Sequence, residues 1–164
     1  MQHILKNLPK LAKDKGIENK KFFVKLKNKP PKNLDYLMVE LHDVEFKRTD
    51  CLQCANCCKT TGPLFTMVDI ERISKAFKQK PQQFIKNYLQ IDEEEDYVLQ
   101  SVPCTFLNDD NSCNIYDIRP KACREFPHTD RKKFYQISEI TLQNLPICPA
   151  AFNIVENLKK RILF

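Results

Sequence analysis

The tightest constraint on this chain is a run of four cysteines within eight positions, Cys51-Leu-Gln-Cys54-Ala-Asn-Cys57-Cys58. Two intervening residues let one tight turn aim two sulfurs at a common ion, the spacing used by zinc ribbons and knuckles and by iron–sulfur clusters. A single such pair would be weak evidence. Here four more cysteines follow, Cys104, Cys113, Cys123 and Cys148, and eight sulfurs are what two four-thiolate centres consume. All eight are therefore candidate ligands for zinc or iron, the iron in the form of a [4Fe–4S] cluster among the options, in one centre or two adjacent ones. Cys51, Cys54 and Cys57 are expected to share a site, with a fourth ligand that spacing does not fix. Vicinal Cys57 and Cys58 are expected to point apart, serving different sites or bridging two metals.

Disulfides are the competing use of so many cysteines. The opening segment, MQHILKNLPKLAKDKG, has no apolar run suited to export, because lysines and a proline interrupt Ile4, Leu8 and Leu11. No stretch approaches a membrane span. The expected compartment is the reducing cytoplasm, where dense cysteine reads as metal ligation or catalysis.

The downstream cysteines sit in turn or capping contexts. Pro103 precedes Cys104, an Asn/Asp loop precedes Cys113, Cys123 falls in a first helical turn after Pro120, and Cys148 precedes Pro149 at the expected N-cap of the last helix. A thiolate there is stabilised by free N–H groups and the helix dipole.

Around these positions the pattern predicts a mostly α fold with irregular metal-clamped loops and one small β-hairpin. Residues 1–48 read as a lysine-rich helical N-terminal extension and residues 49–164 as the cysteine-cluster metal-binding domain. Lys29-Pro30-Pro31-Lys32 breaks the extension, and Leu34, Leu37, Met38, Leu41, Val44 and Phe46 then form an apolar stripe. Thr66 to Asp69 matches a capping box with Asp for Glu, and Pro81 opens another helix. Tyr97–Leu99 and Phe134–Ile137 read as the short strands.

The net charge is +6, but residues 1–33 alone hold ten lysines against Asp14 and Glu18, which leaves −2 for the remainder. Such a run is a solvated helical surface, or a contact for an unknown protein or acidic partner. Nucleic acid is disfavoured, because arginine and aromatic residues are not interleaved with the lysines.

Between Cys113 and His128, Arg119 and Arg124 could compensate a negatively charged thiolate centre, Tyr116 and Phe126 could shield it from water, and His128 is a possible extra nitrogen ligand. The set CxxCxxCC at Cys51 to Cys58, Pro103-Cys104-Thr-Phe106-Leu107, and CxIYxxRPxxCRxFP at Cys113 to Pro127 resembles the YkgJ-type cysteine-cluster family of zinc- or iron-chelating domains. The resemblance covers roughly residues 48–150, with Thr105 where proline is common, and leaves the lysine-rich extension outside. It implies metal chelation by the cysteines. A distant branch, similar to the flagellin lysine N-methylase, implies an iron–sulfur-dependent enzyme.

The motifs favour a binding or metal/redox-handling module over that enzyme. No Gly-rich phosphate or adenosine loop, HExxH motif or CxxxCxxC triad is present to supply an independent catalytic set.

Overall fold

The computed structural model describes residues 2–162. Its chain divides into two compact units: Met1–Cys54 with Pro127–Phe164, and the intervening Ala55–Phe126.

The first unit is helical. Helix α1 (Gln2–Asp14) and α2 (Gly16–Asn28) precede the proline break, and α3 (Leu34–Phe46) follows it. Helix α4 (Cys51–Cys54) is a single turn. After residue 126 come α9 (Ser138–Asn144) and α10 (Pro149–Arg161). The core joins Leu8, Phe22, Phe23 and Leu26 to Leu34, Leu37, Met38 and Leu41, and these to Phe152, Val155 and Leu158 of α10. The lysine-rich helices thus bury one apolar face, as periodicity requires of amphipathic helices, and present their lysines on the other.

Two expectations change here. The stripe of α3 continues through Glu45, which is buried, while Val44 is exposed. Glu45 tolerates burial because Arg48 Nε (2.8 Å), Arg48 Nη2, Thr49 Oγ1 (3.4 Å) and Asn153 Nδ2 (2.8 Å) all donate to it. The segment Phe134–Ile137 is a 3-10 turn and not a strand. Lys133 adopts a left-handed backbone, and the Asp35 carboxylate accepts the N–H groups of Lys133 (2.7 Å) and Phe134 (3.1 Å). That long-range cap satisfies donors a strand would have given to a neighbour.

The second unit holds α5 (Asn56–Thr60), β1 (Leu64–Phe65), α6 (Met67–Ala76), α7 (Pro81–Tyr88), β2 (Leu89–Ile91), β3 (Tyr97–Leu99) and α8 (Lys121–Glu125). The antiparallel sheet has the order β1-β3-β2, pairing Leu64 with Val98 and Gln90 with Val98. So β3 has two partners where a hairpin would have one, and one of them is β2. The core is aromatic: Phe65, Phe84 and Phe106 pack with Ile70, Ile73, Leu99 and Ile115. Phe84 and Phe106 stack at 6.2 Å between ring centroids. Among the described residues, no helix is long and apolar enough to cross a membrane.

Candidate metal centre

All eight cysteines are free thiols, Cys51 exposed and the others half-buried. Cys51, Cys54 and Cys148 lie in the first unit, and Cys57, Cys58, Cys104, Cys113 and Cys123 in the second.

Cys58, Cys104, Cys113 and Cys123 belong to the second unit. Cys58 lies on α5, which follows the left-handed Ala55. The Cys104 N–H donates to the Cys58 carbonyl at 2.7 Å, tying the two backbones together. From Cys104 the chain makes a narrow loop: Leu107 and Cys113 form an antiparallel bridge, and Asn114 N–H donates to Phe106 O at 2.9 Å. The Asn108 side chain closes the loop tip through Ser112 Oγ (2.8 Å) and Asn114 Oδ1 (2.9 Å). Cys104 and Cys113 therefore stand on facing arms. Cys123 comes from α8, as its position after Pro120 predicted.

These four thiols interact electrostatically. Burial raises Cys104, and the charges of Cys58 and Cys113 raise it further. Burial likewise raises Cys113, with Cys58 adding to it and Arg119 opposing. Cys123 is pushed up to about 12, first by burial and then by Cys58, Cys104 and Cys113, again against Arg119. Cys58 goes the other way, down to about 7, chiefly because the Cys57 side chain hydrogen-bonds to it, with burial opposing. Cys57 thus partners Cys58 through its side chain.

Backbone N–H groups are already aimed at the sulfurs. Phe106 and Leu107 hydrogen-bond to Cys104, and Ile115 to Cys113. Such donors orient ligating sulfur and carry part of a thiolate's charge. Among the described residues, no group of three or more His, Cys, Asp or Glu side chains forms a ready-made cage. Thiolates repel and thiols attract one another only weakly, so closure onto one point is work that a cation does on binding. A soft donor set of four sulfurs with N–H groups behind it fits zinc or iron.

The first unit holds Cys51, Cys54 and Cys148. Cys148 is the N-cap of α10, its Sγ accepting the Ala151 N–H at 3.4 Å. Burial pushes it up to about 12, and Cys51 and Cys54 add to the rise, while the N–H groups of Ala151 and Ala150 oppose it. His128 lies in this unit with a left-handed backbone. Next to it, buried Thr129 shares a 2.8 Å hydrogen bond with His42 Nδ1.

The family comparison spans seven of the eight cysteines, all but Cys148. The model described as "CxxCxxCC: Putative zinc- or iron-chelating domain" matches residues 50–144, more than half of the chain. The chain belongs to this family. Comparison with curated proteins and with solved structures gave no match. The CxxCxxCC description covers chelation of zinc or iron.

The arginines singled out from sequence divide in role. The Arg119 guanidinium lies 4.0 Å over the Tyr116 ring and donates to Tyr116 O at 2.6 Å, and its charge reaches Cys113 and Cys123. Arg124 donates instead to Arg119 O at 2.7 Å. Tyr116 is 43% exposed, and Phe126, the C-cap of α8, is half-buried.

Sequence reasoning missed Asp69 and Arg72 at the site. Asp69 closes the capping box with Thr66, as the motif predicted, but it also accepts the Lys121 N–H at 3.1 Å. Arg72 Nη2 reaches Asp69 Oδ1 (2.8 Å), Ile118 O (3.1 Å) and Arg119 O (3.0 Å). Burial would raise the Asp69 carboxyl, yet the hydrogen bonds from Thr66, Arg72 and Lys121 hold it below the usual range. The available signal was an acid and an arginine three apart on one helical turn, which in a sequence reads as an ordinary surface pair.

Proposed function

We propose that this CxxCxxCC protein is a cytoplasmic metal-binding module that takes zinc or iron on Cys58, Cys104, Cys113 and Cys123, with Cys51, Cys54 and Cys148 as a second ligand set. The observation that carries the reading is the gathering of four thiols in the second unit, where the Cys104 N–H bonds the Cys58 carbonyl, Cys113 stands on the facing arm of the same loop, and the charges of Cys58, Cys104 and Cys113 all reach Cys123. Ionised together, these sulfurs repel one another until a cation binds, and N–H groups already point at two of them. Eight free thiols also suit a reducing compartment. The chemistry is chelation: the protein supplies half-buried thiolates, and the ion supplies the attraction that orders the loops.

The test is metal analysis of anaerobically purified full-length protein beside four single Cys→Ser variants. Changes at Cys58, Cys104, Cys113 and Cys123 are each expected to lower bound metal sharply. Full retention by any of the four would remove that residue from the centre. A brown chromophore with bound iron would specify an iron–sulfur centre, and colourless protein with zinc a structural one.

A partner surface is proposed on α2. Lys20, Lys21, Lys25 and Lys27 are exposed and make no ion pair among the described residues. Ile17 (73% exposed) and Val24 (59%) stand among them. Cationic and apolar groups on one helical face fit an acidic protein segment. Salt-sensitive binding of polyglutamate, abolished by Lys20→Glu with Lys21→Glu, is expected. Tighter binding of duplex DNA would assign the face to nucleic acid instead.

A further inference from the structure

We propose that Asp69 and Arg72 are positioning residues for the thiolate centre, acting through the backbone of residues 118–121 to set Cys123. This rests on the ligand reading given above.

Helix α8 is five residues long, and its N-cap, Pro120, has no capping side chain. So short a helix does not hold itself, because nucleation is unfavourable and few bonds repay it. Its position must come from outside. Asp69 takes the N–H of Lys121, the first residue of α8, and Arg72 takes the carbonyls of the two residues before Pro120. Two acceptors and one donor of the loop are thus fixed by one carboxylate–guanidinium pair. The pair is itself anchored, since Thr66 donates to Asp69 Oδ2 through both its N–H (3.2 Å) and its hydroxyl (2.7 Å). Cys123 lies two residues beyond Lys121.

A purely local role for the pair fits less well. Asp69 closes the capping box of α6 with Thr66, but it also takes the Lys121 N–H, and Arg72 spends two of its contacts on carbonyls 46 and 47 residues away in sequence. Asp69 is 1% exposed. A buried ion pair gains little net stability over apolar packing, so geometry is the better account of what it contributes. One guanidinium nitrogen, Nη2, meets the carboxylate and both carbonyls together.

The experiment measures Zn2+ affinity of the full-length protein by competition with a chromophoric chelator, in a double-mutant cycle with Cys123→Ser. Arg72→Gln is expected to weaken Zn2+ binding by about 10-fold, the size of effect that supporting residues have on metal ligands. In the Cys123→Ser background it should cost nothing further, because the ligand it positions is gone. Arg72→Lys keeps the charge but not the placement of Nη2 and should fall between. Lys75→Gln, an exposed change on the same helix, should match wild type. Equal losses from Arg72→Gln in both backgrounds would overturn the proposal, as would wild-type affinity in both Arg72 variants. Should Cys123→Ser itself leave affinity unchanged, the ligand assignment fails, and this coupling with it. Should Cys123→Ser weaken binding while the Arg72 variants do not, the positioning claim alone fails.

Discussion

At the scale of single residues, the centre is defined by thiols with opposite tendencies. The Cys57 side chain pulls Cys58 down to about 7, while burial raises Cys104, Cys113 and Cys123. Metal binding must displace whatever protons remain, so affinity falls as pH falls. Above the Cys58 value about three protons should be released per ion bound at this centre, and below it about four, steepening the acid side of the profile. Calorimetry in buffers of different ionisation enthalpy measures the count, and a flat count across pH 6 to 8 would contradict the assignment. Arg119 bears on the same charges. Because its guanidinium lowers both Cys113 and Cys123, Arg119→Met should weaken metal retention about 10-fold. Arg124→Met removes only a bond to a carbonyl and should do much less. Chelator competition at fixed pH and salt distinguishes them.

At the scale of elements, the helices with strong sequence signals stand where those signals place them. The capping box at Thr66, Pro81 at the start of α7, and the Cys148 N-cap of α10 are all formed. Each is a local rule, satisfied by residues within one turn. The last yields a prediction. A serine at position 148 can still accept the Ala151 N–H, whereas alanine cannot, so Cys148→Ala should be less stable than Cys148→Ser by about 1 kcal/mol. Both lose the same ligand, so thermal melting of the two isolates the cap. What was illegible was long-range. Strands β1 and β2 are too short to show alternation. The Phe134–Ile137 turn depends on Asp35, nearly a hundred residues earlier. The grouping of Cys148 with Cys51 and Cys54, and of Cys58 with the three later cysteines, is likewise a product of tertiary folding. Cysteine spacing names candidate ligands, but it carries no information on how they divide.

At the scale of the whole molecule, the two units rest on different foundations. The first is a helical core drawing on α1, α2, α3 and α10. The second packs around a few aromatic rings and carries the irregular loop from Cys104 to α8. If chelation energy is folding energy, metal removal should act mainly on the second unit. Amide exchange after chelator treatment should rise across residues 104–123 while α3 and α10 keep their protection. Uniform exchange before and after chelation would show that the thiols add nothing to folding.

The division at residues 54 and 126 has a further consequence during synthesis. The first unit is split in sequence, so Phe22, Phe23, Leu34 and Met38 emerge from the ribosome well before their partners on α10 exist. The 72 intervening residues take roughly 4–14 s to translate at ordinary rates of 5–20 residues per second. Throughout that interval an apolar helical surface waits unpaired, a natural client for a chaperone, while the sulfur-bearing loop between its two halves is already free to capture an ion.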